Sequence, residues 1–377
     1  MKIGVDIRVL MDNYYSGVSM FTFNLLDSLL KKDKLNTYRF FCNSFRKKNI
    51  ELCKENTVQT FYPNKLFNYL LQKNFSWPKI DKILGGSDLV YLPHINFASI
   101  SSNVKKVITI HDLSFIRYPE FFSDRKNFWH KAVNIKKKIN DFDKIIAVSN
   151  NTKNDLIELL GVENEKIEVV YPGLPLNFSV DNNFSVDTLS LKYNINKPYV
   201  LYLGTIEPRK NIVGLIKAYN LLRGAGFDLL LILVGSWGWK TAAIKKEWQR
   251  SKYKDDIRFI GYISENEKPL FYSNAQVFVY PSFYEGFGFP PLEAMYFSVP
   301  VISSNTSSLP EVLSDSALFV NPDKPENLFE AMKMVLSDDL LRIRLKEKSK
   351  KRISFFSWEK TATEYQKIFE KVYDKKK

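Results

Sequence analysis

Short apolar runs alternate with longer amphipathic stretches along almost the whole chain. The runs in the first half are Ile3–Val9, Arg39–Cys42, Thr57–Phe61, Leu89–Leu92, Val107–Ile110, Ile145–Val148 and Ile167–Val170. Those in the second half are Tyr199–Leu203, Leu229–Val234, Ile257–Ile260, Val277–Tyr280, Val301–Ser303 and Ala317–Val320. Continuous runs of this kind suit strands buried on both faces. Helical spacing fills many gaps, at Val18–Leu30, Asp124–Asn140, Thr152–Leu160, Asn211–Leu222, Glu326–Leu336 and Trp358–Val372. The alternation predicts an α/β protein with parallel sheets covered by helices.

The pattern lapses between Leu174 and Pro198, where Asn, Asp, Ser and Pro accumulate. That stretch reads as a linker between two doubly wound domains, residues 1–173 and 199–356, followed by a final helix over 357–377. Paired domains of this type bind ligands at the carboxyl ends of their strands, in the cleft between them.

Composition removes several classes. Two cysteines, Cys42 and Cys53, make neither a disulfide framework nor a cysteine zinc site, and read as buried thiols. Three histidines argue against a multi-histidine metal centre. No leader is expected, since Met1–Asp6 reads straight into a strand, and no apolar run reaches the roughly 20 residues of a membrane span. A cytoplasmic protein is expected. Only 15 glycines occur, so each position carries information.

The richest segment is Tyr284–Met295, with Gly286 and Gly288 in a turn, Pro290 and Pro291 at a helix start, and Glu285 and Glu293 seven residues apart. Proline suits the first helical turn, and free N–H groups there favour polar oxygens. The two carboxylates fit either contacts to sugar or ribose hydroxyls or an ordinary strand–turn–helix with an acid near the helix start. A second segment, Tyr199–Asn211, is a buried strand ending at Gly204 and leading to Arg209 and Lys210. This pair suits a diphosphate, or else a solvated turn. No GxxxxGK[ST] or GxGxxG spacing is present, which counts against a P-loop or a dinucleotide enzyme. Gly235 and Gly17 supply further turns next to strand ends. His111 follows a strand and could bond a hydroxyl or a phosphate oxygen. His94, in a similar setting, is a weaker candidate. Asp141-Phe142-Asp143 matches a metal-binding pattern but reads as a helix end and turn.

Together these segments resemble the retaining glycosyltransferases of family four, which have the GT-B fold. Glu285 to Glu293 is similar to the family's Glu-x7-Glu motif, with Gly286, Gly288 and Pro291 in place. Gly204–Asn211 is similar to its phosphate loop. Ile145–Ser149 with Thr152-Lys153 is similar to a further signature, whose usual Asp falls at Asp143. The resemblance implies two Rossmann-like domains facing each other across a cleft, with the helix from Trp358 crossing back to the first.

It also implies roles. Glu285, His111, Arg209 and Lys210 would be catalytic. Gly17, Thr205, Gly235, Gly286, Phe287, Gly288, Phe289 and Glu293 would bind the donor. Arg209 and Lys210 would hold the leaving diphosphate. Glu285 would contact the donor sugar, Glu293 the ribose, and His111 the sugar near the reacting centre. The reaction would move a glycosyl unit from a nucleoside-diphosphate sugar to an acceptor hydroxyl with retained configuration, needing neither cofactor nor metal. Many relatives carry an Arg at the position of Thr205 and a second glycine beside Gly17. The wording of 205–211 and Gly235–Trp239 is most like mannosyl- or rhamnosyl-type members of polysaccharide and O-antigen assembly. That favours a hexose such as mannose, GDP-mannose as donor, and a lipid-linked or growing glycan as acceptor.

Net charge is +14, from 55 Lys+Arg against 41 Asp+Glu. Clusters fall at Arg46–Lys48, Lys105-Lys106, Lys136–Lys138, Lys245-Lys246 and Lys375–Lys377, several among aromatics such as Phe75, Trp77, Phe128 and Trp129. Reversible contact with an anionic membrane on the inner face of the cell, and plain solvated lysines, fit this equally. No nucleic-acid module is recognisable. A non-catalytic nucleotide-sugar sensor or scaffold on the same fold is the competing functional class.

Overall fold

Thirteen strands form among the residues described by the computed structural model, which are 1–11, 17–44, 50–72, 78–174 and 186–374. Each expected apolar run becomes a strand; the inner ones are buried on both faces, so their side chains have no solvent side to prefer, while the edge strands Thr57–Thr60 and Ile257–Gly261 are mostly half-buried. The first sheet contains β1 (Lys2–Asp6), β2 (Thr37–Asn43), β3 (Thr57–Thr60), β4 (Leu89–Leu92), β5 (Lys105–Ile110), β6 (Lys144–Ala147) and β7 (Ile167–Val169). Its order is β3-β2-β1-β4-β5-β6-β7. The second contains β8 (Tyr199–Leu203), β9 (Leu230–Val234), β10 (Ile257–Gly261), β11 (Val277–Tyr280), β12 (Val301–Ser304) and β13 (Ala317–Val320), in the order β10-β9-β8-β11-β12-β13. All pairings are parallel. Each sheet reverses its winding once, between β1 and β4 and between β8 and β11. Those switch points open a crevice at the strand carboxyl ends.

The chain forms two compact units. One comprises Met1–Arg117, Asp124–Gly173 and the terminal stretch from Phe356. The other comprises Tyr118–Ser123 and Leu174–Phe355. The expected linker is only partly a linker. Residues 175–185 lie outside the described residues, but Val186–Tyr193 is a helix of the second unit. Glu267 anchors its end by accepting from Lys192 Nζ at 2.6 Å and Tyr193 Oη at 2.5 Å. The run Ile3–Val9 stops being strand at Asp6, and Arg8–Met11 turns into a 3-10 helix. The stretch Asp124–Asn140 is not one helix. Asp124–Val133 ends where Asn134 takes φ 51°, and Ile135–Lys138 follows as a separate turn.

The helix Trp358–Asp374 folds onto the first unit, as its apolar stripe requires. Trp358, Thr361, Ala362, Tyr365, Ile368, Phe369 and Val372 are buried, a spacing of three and four residues. Tyr365 Oη, Thr109 Oγ1 and Tyr91 Oη form a buried hydroxyl chain with links of 2.8 Å. Phe21 of the helix Gly17–Lys32 meets Trp358 and Tyr365 at ring separations of 5.6 and 6.4 Å. Gly173 lies under the start of the terminal helix, where a Cβ would sit 2.2 Å from Trp358 N. Gly173→Ala is therefore expected to cost about 1–3 kcal/mol of stability. Hydrogen exchange should rise selectively over residues 358–374. Unchanged denaturant midpoint and exchange would contradict the docking.

Candidate active site

The site assembles at the β8/β11 switch point, because the two loops carrying charge leave adjacent strands. After β8 the backbone turns at Gly204 and Gly235 lies against it. A Cβ on Gly235 would stand 2.0 Å from Gly204 O, so the close approach of these two turns itself demands glycine. Thr205 is exposed at the loop tip. Pro208–Lys210 forms one 3-10 turn. Asn211, with φ 56°, caps the helix Ile212–Gly224 by accepting from Gly214 N at 3.2 Å. After β11 the chain reaches Phe283, whose N–H donates to Arg209 O at 2.9 Å and ties the loops together.

Glu285 lies between the two cations. Lys210 Nζ donates to its Oε1 at 2.5 Å and to Tyr280 Oη at 2.8 Å. Arg209 Nη1 donates to Glu285 Oε2 at 3.1 Å and to Tyr284 O at 2.6 Å. The other edge of Arg209 grips Glu207 Oε1 through Nε at 3.1 Å and Nη2 at 2.8 Å. Burial pushes the Glu285 carboxyl up, but Lys210 and then Arg209 outweigh it and hold the group at about 2. Burial, reinforced by Arg209, moves Lys210 down from its ordinary value. Two cations thus face two carboxylates, Glu285 and Glu207, in a nearly dry cluster. Preorganised charges of this kind are what binding of an anion and polar hydroxyls would require.

The rest of the Tyr284–Met295 segment holds this geometry. Glu285 N donates to Ser307 Oγ at 2.9 Å, and Ser308 Oγ donates to Glu285 O at 2.9 Å and Phe287 O at 3.2 Å. Gly286 and Phe287 are buried, and Phe289 meets Phe287 edge-on at 5.2 Å. Gly288, with φ 100°, opens the helix Phe289–Tyr296, whose first turn carries proline as expected. Glu293 is buried on that helix. It accepts from Tyr272 Oη at 2.8 Å and Lys268 Nζ at 3.5 Å. Burial would lower Lys268, yet Glu293 and Glu265 raise it above its ordinary value.

Arg209 and Lys210 are therefore both in direct contact with Glu285, and Glu293 sits on the helix that the Glu285 loop feeds. His111 and Gly17 belong to the first unit. Gly17 is exposed, with open space where a Cβ would stand. Its helix brings Phe21 edge-on to the His111 ring at 4.6 Å. His111 Nε2 is 2.9 Å from Pro93 O. A carbonyl only accepts, so Nε2 carries the proton. Burial lowers the ring's affinity for a second proton. Asp143 is taken up by Lys105 Nζ at 2.8 Å and Lys106 N at 2.9 Å, which gives it a turn-fixing role. Ser149 caps the helix Asn150–Leu160 by accepting from Thr152 N at 3.1 Å, which explains that pair's spacing.

Sequence reasoning missed Glu207, Tyr280, Tyr272 and Lys268. Glu207 was visible two residues before Arg209. Tyr280 ends a strand whose sheet order was not legible. The basic groups Arg46–Lys48 and Lys375–Lys377, and Phe75 and Trp77, lie outside the described residues.

Two family models match the chain: Glycosyltransferase Family 4 over residues 15–178 and Glycosyl transferases group 1 over residues 187–352. O-antigen chain mannosyltransferase B of Escherichia coli is 33% identical over 277 residues, covering 73% of this chain and 70% of that protein. The chain belongs to glycosyltransferase family 4. Its fold is GT-B. Sucrose-phosphate synthase from Thermosynechococcus elongatus superposes with a TM-score of 0.75 at 19% identity, over 99% of each chain. Anabaena HepE in complex with UDP-glucose superposes with a TM-score of 0.74 at 17% identity, over 97% of this glycosyltransferase and 99% of HepE.

The cluster's pH response follows from its signs. The folded state depresses the Glu285 pKa, so its stabilisation is full above the ordinary carboxylate range and is lost as pH falls toward about 2. Lys210→Met should lower the unfolding free energy of this enzyme at pH 7 by roughly 3 kcal/mol. That deficit should shrink as pH falls below about 4.5, the ordinary glutamate value. Urea unfolding at pH 7 and pH 3 measures it, and a pH-independent deficit would contradict the pairing.

Proposed function

We propose that this glycosyltransferase moves a hexosyl unit, with mannose favoured, from a nucleoside-diphosphate sugar to a hydroxyl of a lipid-linked or growing polysaccharide or O-antigen glycan. The observation that carries the reading is the Arg209–Lys210–Glu285 cluster at the switch point of the second unit. The O-antigen mannosyltransferase relative supports the hexose and the glycan acceptor, with GDP-mannose as the favoured donor. The fold's likeness to a UDP-glucose-bound structure supports a nucleotide-sugar donor.

In this reading Arg209 and Lys210 bind the diphosphate. Glu285, already ionised, accepts from sugar hydroxyls, and Glu293 accepts from the ribose. His111 presents Nδ1 as an acceptor, which suits a sugar hydroxyl and not a phosphate oxygen. The bond from the anomeric carbon to the diphosphate breaks and a bond to the acceptor oxygen forms on the same face. The acceptor proton passes to the leaving diphosphate. Arg209 and Lys210 stabilise the charge that develops there, so the step calls for no metal. The helix Asp124–Val133, with Phe128 74% exposed among Arg125, Lys126 and Lys131, is the proposed contact to an anionic membrane at the cell's inner face.

Incubation with GDP-mannose and other nucleotide sugars, plus a lipid-linked glycan pool, should release nucleoside diphosphate. Arg209→Ala should cut that release by about 100-fold or more. Binding of donor without transfer or hydrolysis would instead make the protein a sensor, and no binding would reject the reading. Cosedimentation with anionic but not neutral liposomes, lost in Phe128→Ser, checks the membrane contact. Equal partition to both would reject it.

A further inference from the structure

The switch point of the first unit carries its own ion pair, which the reaction described above leaves unused. Asp6 ends β1 and is 1% exposed. Arg8 donates to it through Nε at 2.9 and 3.1 Å, through Nη2 at 2.6 Å, and through its backbone N at 3.1 Å. The same Nη2 donates to Phe97 O at 2.5 Å. The guanidinium also lies 5.5 Å from the Phe41 ring and 5.9 Å from the Phe67 ring. Arg8 is thus a bracket between the turn after β1 and the loop after β4.

That loop begins with Pro93 and His94, and Pro93 O is the acceptor that fixes the His111 proton on Nε2. His94 sits within electrostatic reach of Asp6, Arg8 and His111. Its buried Nδ1 has no hydrogen-bond partner among the described residues, so it adds no anchor to the loop. We propose that Arg8 is a positioning residue: by pinning the loop at Phe97 it keeps the Pro93 carbonyl on His111 and leaves His111 Nδ1 as the acceptor for substrate. Arginine is required because two directions must be served at once, a carboxylate and a carbonyl. A lysine would serve either without the planar fork. The proposal rests on the role assigned to His111 above.

Three histidines in the chain make ring-nitrogen NMR tractable, with His94→Gln and His130→Gln assigning the signals. In the unaltered full-length protein His111 should show the neutral form protonated on Nε2. The double variant Asp6→Asn/Arg8→Met removes both charges, so neither is left buried alone. His111 in it should exchange between both neutral tautomers, and kcat should fall about ten-fold while the donor KM moves less than about two-fold. Arg8→Lys, which keeps a charge on Asp6, should shift the tautomer in the same direction and guards against a folding failure of the double variant. An unchanged His111 tautomer in folded variants would overturn the proposal. The tautomer is read without turnover, so an absence of sugar transfer would reject the proposed function and leave this result standing.

Discussion

A carboxylate buried between two cations is the interaction around which the second unit is organised. Glu285 is 7% exposed, yet Lys210 and Arg209 keep it ionised. Removing either cation would leave a charge stranded in a low-dielectric site. The constraint reaches into the backbone. Lys210 and Glu285 can meet only if the loops after β8 and β11 leave neighbouring strands in the same direction, which the winding reversal provides. It also explains the glycines: Gly235 lets the turn after β9 pack on Gly204, and Gly288 admits the left-handed turn before the helix.

The cluster is balanced before any substrate arrives. Arg209 is divided between Glu207 and Glu285, and Lys210 between Glu285 and Tyr280. In the proposed reaction a diphosphate entering here would take over contacts that carboxylates and a hydroxyl already make, so the cations would need little reorganisation. Glu207 acts through Arg209, holding one edge of the guanidinium so that the other points toward Glu285. In the first unit Asp6 and Arg8 form a buried ion pair at the corresponding sheet reversal, and Arg8 braces a loop through Phe97 O.

Much of this was legible from local pattern. The strands were readable because a buried parallel strand is an unbroken apolar run, as in Tyr199–Leu203 and Val277–Tyr280. The terminal helix was readable from its stripe through Tyr365 and Phe369. Arg209, Lys210 and Glu285 could be named as separate candidates. Their mutual contact could not, since strand order is a long-range property. Tyr280 was hidden for the same reason, since its partner Lys210 is 70 residues away, whereas Glu207 stands two residues before Arg209 and was passed over. The helices Val186–Tyr193 and Asp339–Ile353 escaped because tertiary contacts hold them. The first relies on Glu267. The second is rich in lysine and arginine and buries only Leu345 and Ser349. The break at Asn134 depends on one left-handed residue, which periodicity does not register.

Titration of a nucleoside diphosphate into the unaltered enzyme and into Lys210→Met/Glu285→Gln tests the charge cluster most directly. The double variant removes one cation and one anion and leaves the Arg209–Glu207 pair in place, so the fold is spared an unpaired charge. Affinity should fall at least about ten-fold, with the loss largest at low salt. An affinity within about two-fold of the unaltered enzyme at low salt would show that the diphosphate is held elsewhere.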